Sequence, residues 1–271
     1  MKFLHRRFLN FSLLFTALLA VLFIQQLISY SLNHGAFFSG WLLFCIICSL
    51  YLFTVRKKII GIRLFKASSW MQFHIYIGLL AAIVFLLHVG WEMPQGLLKR
   101  ALYLLFLAEV LSGLLGLMIT RMLPPCLARN GSVLYPEIIS KQQIIFSEIE
   151  SLVEQSLNQT QSTTIADFFQ QRLLGFLLKP RYFWHHIIQS KKTIHKLQND
   201  IANLQRYLND DEQQIINQIE NLVIEKDRLD YQYAGQTLLK RWLFVHIPLS
   251  YGLLLFVLLH LALVYAYIGG V

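Results

Sequence analysis

WMQFHIYIGLLAAIVFLLHVG, Trp70 to Gly90, is the stretch on which the fold turns. It is apolar enough to cross a bilayer, yet it carries His74 near one end and His88 near the other. Fourteen helical steps amount to about 21 Å of rise and bring the two rings to within roughly 40° of one face. The run from Trp242 to Tyr267 repeats the arrangement with His246 and His260, again fourteen apart. Two such helices side by side offer two facing histidine pairs at two depths.

The rest of the chain fits a membrane setting. Of its 271 residues 56% are apolar and 14% are charged, against about 25% charged in soluble domains. The apolar residues are bunched into runs of spanning length at roughly 9–30, 36–55, 70–90, 101–120 and 242–267. The first run follows Lys2, Arg6 and Arg7, as a signal peptide would. No small-residue cleavage site follows, so it is read as a retained helix. The expected fold class is an all-α membrane protein: five transmembrane helices, a haem-binding four-helix-type bundle and a cytoplasmic helical hairpin. The expected division is 1–122 for the first four spans, 123–238 for a cytoplasmic helical, coiled-coil-like insertion, and 239–271 for the fifth span.

Lysine and arginine set the orientation. The start and the 56–66 connection hold Lys2, Arg6, Arg7, Arg56, Lys57, Lys58, Arg63 and Lys66, whereas the 31–35 connection has none and 91–100 has only Lys99 and Arg100. Positive flanks stay inside. The N-terminus and the 121–241 segment are therefore expected in the cytoplasm and the C-terminus outside. Arg121, Arg129, Lys240 and Arg241 agree with this. The net charge of +9 is read as topology and contact with anionic membrane lipid, and not as nucleic-acid binding.

Smaller signals place the remaining pieces. Cys45, Cys48 and Cys126 make no disulfide framework. Cys45 and Cys48 form a CxxC with no histidine after it, so no c-type haem attachment is expected, and both are read as buried, packing cysteines. Helices one and two shield the bundle, with His5 and His34 in their flanks as surface histidines. The RKKIIGIRLFKASS stretch reads as a piece lying on the inner surface, with Ser68 and Ser69 placed to cap helix three. Gly78, one turn from His74, leaves room for a flat macrocycle. Trp91 suits the interface, and Pro94 is expected to break helix three.

Helix four carries Glu109 about 12 Å from its outer end. An acid at that depth is a candidate proton or quinone site, or a partner for a hydroxyl on a neighbouring helix. Gly113 and Gly116 allow close packing. Pro124 and Pro125 end the helix, and Asn130-Gly131 marks a turn. Helices are then expected at roughly 137–158, 164–178, 183–209 and 211–238. Ile194, Leu197, Ile201, Leu204 and Leu208 alternate by three and four, and Ile215, Ile219 and Leu222 continue the stripe. Together they predict a helical hairpin with an apolar seam and a solvated or partner-docking charged face. His185, His186 and His195 do not share a face that would make a metal site. Pro248 loosens helix five one turn in.

Under the expected topology both histidine helices run the same way, so His74 pairs with His246 and His88 with His260. Each pair can grip one iron porphyrin by two imidazoles, giving two b haems stacked across the membrane. Six-coordinate iron suits outer-sphere electron transfer and leaves no position for oxygen. Lys99 and Arg100 are candidate partners for the outer haem's propionates.

The paired His-x13-His ladders resemble cytochrome b561-like and ferric-reductase-like membrane domains, and the haem core of quinol-oxidising cytochrome b. The ITRMLPP exit and the KDRLD…LLKRWLFVH entry are similar to bacterial di-haem b-type proteins. That resemblance implies His74, His88, His246 and His260 as axial ligands, and electron transfer between a quinone pool and a soluble or membrane redox partner. It also implies a bacterial inner membrane as the setting, and the lack of a substrate domain leads to the expectation of a subunit of a larger hetero-oligomeric oxidoreductase and not a stand-alone enzyme. The chain carries no flavin or nicotinamide domain and no PEWY quinol signature. The alternative is a non-redox scaffold whose hairpin anchors a partner protein. A proton-coupled transporter with a histidine–Glu109 relay would favour an inverted repeat, and none is evident.

Overall fold

The computed structural model describes residues 2–32, 35–55, 67–90, 93–122, 135–160, 162–178 and 192–268. The 56–66 connection, Trp91 and Glu92 lie outside them, as do the 123–134 exit (Pro124, Pro125, Cys126, Arg129, Asn130-Gly131), His34, His185, His186 and the side chain of His5. Among the described residues every element is helical, and there are eight. These are α1 (Lys2–Leu32), α2 (Gly35–Val55), α3 (Ala67–Val89), α4 (Leu97–Met122), α5 (Tyr135–Thr160), an interrupted α6, α7 (Lys192–Gln205) and α8 (Asp210–Ile268). Three of them, α3, α4 and α8, are long and apolar enough to cross a membrane, and α1 and α2 hold shorter apolar segments at Ser12–Ile28 and Phe37–Leu52. The chain divides into two compact units, Met1–Met118 with Trp242–Val271, and Ile119–Arg241.

In the apolar unit the core is thin. Leu43, Ile46 and Ile47 of α2 meet Leu80, Ala81, Val84 and Phe85 of α3, with Phe106 of α4 and Leu253 of α8 closing the cluster. Phe85 and Phe106 stack at 3.9 Å between ring centres. Outside this core, large apolar side chains face outward, among them Leu104, Leu111, Phe244 and Leu255. In water such a surface would aggregate; in hydrocarbon it costs nothing.

Cross-helix contacts give the relative directions. Ser39 of α2 meets His88 of α3, and the backbone of Leu50 lies against His74. Trp41 donates to the Tyr265 hydroxyl at 3.1 Å, and Tyr51 donates to the Ser250 carbonyl. α2 therefore runs antiparallel to both α3 and the 242–268 part of α8, which makes those two co-directional.

Several local expectations are corrected. α3 ends at Gly90, not at Pro94: Gly90 takes φ +74° and its amide donates to Leu86 O at 2.9 Å. A left-handed residue closes a helix cheaply only as glycine. α4 begins at Leu97, earlier than expected, behind Gly96 at φ +94°. Ser68 and Ser69 fall inside α3 and do not cap it. Cys45 is exposed and Cys48 half-buried, so neither is a core side chain. The helices expected at 211–238 and 242–267 are one helix, Asp210–Ile268. Nothing between Leu238 and Trp242 breaks a helix, and Pro248 is accommodated inside it.

The polar unit is more than a hairpin. The expected seam is buried at Ile194, Leu197, Ile201, Leu208, Ile215 and Ile219, and it is shared with Ile138, Ile145 and Ile149 of α5 and Ile165, Phe169 and Leu173 of α6. α6 runs Thr164–Phe168, widens into a π turn at Phe169–Leu173, and resumes at Leu174–Leu177. Ile165, Phe169 and Leu173 of this segment all face the shared core. Glu212 caps the start of α8: it accepts the Asn209 amide at 3.0 Å and the Thr160 hydroxyl at 3.2 Å. A charged pair lies in the core: Lys226 donates to Asp230 at 2.5 Å and to Phe176 O at 2.7 Å, and each side chain is 2% exposed. Gln142 donates to the other Asp230 oxygen at 2.7 Å. At the end of this unit Lys240 sits 3.3 Å above the Tyr135 ring.

Candidate functional site

The densest polar cluster inside the apolar unit surrounds His246. Its Nδ1 lies 3.2 Å from Ser112 Oγ and 3.5 Å from a Glu109 carboxylate oxygen. Trp242, one turn back on α8, stacks on the imidazole at 5.0 Å and 21°, and donates its indole N–H to Ser112 O at 2.8 Å. Ser250, one turn on, donates to Glu109 at 2.5 Å and contacts His246 O at 3.0 Å. The i, i+4 rhythm of Trp242, His246 and Ser250 puts all three on the face turned to α4. Of the roles expected for Glu109, the bond to a hydroxyl of a neighbouring helix is the one seen, and His246 stands beside it.

With Nδ1 occupied, Nε2 is the nitrogen left to a metal. His74 lies within charge–charge range of His246. A Cβ added at Gly78 would meet nothing within 4 Å, so the wall one turn from His74 is open. His74 and His246 are thus the two imidazoles that this level of the bundle brings within range of one another.

At the other end of the bundle the histidines have different neighbours. His88 Nδ1 is 3.1 Å from Ser39 Oγ on α2. His260 lines a hollow of about 470 Å³ with Gln95, Leu97, Lys99, Leu263 and Tyr267, and His88 is not among its walls. Lys99 is within charge range of His260, whereas Arg100 donates to Pro94 O at 3.3 Å. Among the described residues no group of three or more His, Cys, Asp or Glu side chains clusters as a metal site.

Sequence reasoning named the four histidines and Glu109 but not the particular side chains set against His88, His246 and Glu109: Ser39, Ser112, Trp242 and Ser250. Their signal was present as isolated polar residues inside apolar runs, which in a bilayer need a partner on another helix. Comparison with protein-family models, with curated proteins and with solved structures finds no match to this chain.

Proposed function

We propose that this chain is a di-haem b-type membrane cytochrome of five spans. In this reading it carries electrons between a quinone pool and a redox partner as a subunit of a larger complex, with residues 119–241 on the cytoplasmic side. The observation that carries the proposal is His246: an imidazole in an apolar bundle, fixed through Nδ1 by Ser112 and Glu109, with His74 in range. Bound there, haem iron supplies reversible one-electron transfer. The chain's own residues hold the ring, exclude water and keep the ligand nitrogen unprotonated. Glu109 is assigned first to holding His246, because its near oxygen already serves Ser250 and His246. Proton uptake from a quinol is a second role for the same carboxylate.

The test is colour. Protein purified after haem-sufficient expression should give a dithionite-reducible b-type spectrum with two haems per chain, and His88→Ala should remove one haem and spare the other. A colourless preparation overturns the proposal. It would favour the scaffold reading, which the separately cored helical body at 119–241 supports.

A further inference from the structure

Two of the four membrane histidines are received by the same dipeptide on a neighbouring helix. Ser39 Oγ lies 3.1 Å from His88 Nδ1, and a Cβ at Gly40 would stand 3.0 Å from His88 Cε1. Ser112 Oγ lies 3.2 Å from His246 Nδ1, and a Cβ at Gly113 would stand 4.0 Å from His246 Cε1. Both hydroxyls belong to buried residues, Ser39 at 1% and Ser112 at 6% exposure. Ser39 and Ser112 each place the hydroxyl oxygen on an imidazole of another helix.

The placement is reciprocal. Because α3 and the 242–268 part of α8 are co-directional, His88 and His246 sit at opposite ends of the bundle. α2 therefore holds the C-terminal rung of one ladder and α4 the N-terminal rung of the other. A hydroxyl at Nδ1 fixes the ring's rotation, and Nδ1–H leaves the lone pair on Nε2, as a metal ligand requires. Gly40 lets the edge of the His88 ring lie against α2.

We propose that the Ser39 and Ser112 hydroxyls are matched cradles that set the ring plane and the Nδ1–H tautomer of His88 and His246, one for each haem site, with Gly40 giving the His88 ring its close approach to α2. This rests on the haem reading above. The two glycines are not equivalent: a methyl at position 40 forces the His88 ring to move, whereas one at 113 makes ordinary contact.

The test uses the full chain with ¹⁵N-labelled histidine, in detergent, with and without haem. In haem-free protein His88 and His246 should show protonated Nδ1; Ser39→Ala should shift His88, and Ser112→Ala should shift His246, toward the Nε2–H form. In loaded protein the two serine variants should displace different low-spin ferric EPR signals and weaken haem binding at the affected site by about 10- to 100-fold. Gly40→Ala should move the same signal as Ser39→Ala, and Gly113→Ala should move neither. Unchanged tautomers and EPR signals in both serine variants overturn the cradles while leaving the haem reading standing. Equal effects of Gly40→Ala and Gly113→Ala also overturn them. A wild type that binds no haem but still shows both tautomer shifts sinks the haem reading and leaves the cradles standing.

Discussion

The indole of Trp242 occupies the space that a side chain at Gly116 would need. Gly116 lies one turn beyond Ser112 on α4, so the missing Cβ lets Trp242 reach the Ser112 carbonyl and cover His246. Gly116→Ala should expel the indole, at a cost of about 1–3 kcal/mol, as overpacking does elsewhere. The expected result is a lower midpoint of thermal unfolding in detergent and a changed environment for Trp242 fluorescence in a variant with the other tryptophans replaced. Gly113→Ala, with only a 4.0 Å approach to His246, is the matched control. If both alanines behave alike, the seat of Trp242 is not what Gly116 is for.

The buried Lys226–Asp230 pair stabilises by completeness, not by charge alone. Each member is 2% exposed, and between them Phe176 O and Gln142 fill further bonding positions. Removing one partner leaves an uncompensated charge in the core, which costs about 3–5 kcal/mol. Asp230→Ala and Lys226→Met should each speed hydrogen exchange in α6 and in the 216–230 part of α8. The double variant Lys226→Met/Asp230→Leu should be milder than either. Single variants with unchanged exchange would show that this pair does not hold the bundle.

What the sequence revealed here follows from how far each signal reaches. Hydrophobic runs and helical periodicity are local, so α1 to α4 and the Ile194–Leu222 seam were legible. The histidine spacing was legible for the same reason, being a period on one helix. Partner choice is not local: that His88 takes Ser39 and that Glu109 takes Ser250 depends on which helices become neighbours. The joining of 211–238 to 242–267 was missed because a change from polar to apolar composition looks like a boundary, although the backbone meets no breaker there. The charged pair was hidden because Lys226 and Asp230, four apart, look like a solvated surface pair until α6 covers them.

The cap of α8 makes part of the polar unit's stability depend on pH. The Asn209 amide, foremost, holds the Glu212 carboxyl below its usual range; the Ser162 and Thr160 hydroxyls add to this and burial opposes it. A carboxylate with a depressed folded value contributes fully above its unfolded value and loses that contribution as pH falls through the folded one. Glu212→Ala should therefore destabilise the junction of α5 and α8 by about 1 kcal/mol at neutral pH. The difference from wild type should fade on acidification below the ordinary carboxylate range. Hydrogen exchange at residues 209–216, followed against pH, measures it. A deficit that persists unchanged in acid would mean that the side chain acts by packing and not as an anion.

If His74 and His246 share one iron, their removal must be equivalent. Either substitution leaves a single imidazole on that iron, so His74→Ala and His246→Ala should each lose the same haem, identified by its EPR signal and midpoint potential. His260→Ala should join His88→Ala in losing the other. The prediction is sharper than a count, because a bundle that merely loosened would weaken both signals together. His246→Ala carries an added consequence: Ser112 and Glu109 lose their shared partner inside the bundle. It should therefore be less stable than His74→Ala while showing the same spectrum. Added free imidazole should restore the missing signal in both variants, since the opposite ligand remains and the space beside Gly78 is open. Loss of different haems from the two variants would break the pairing, and it would do so even if the protein proved to hold two haems.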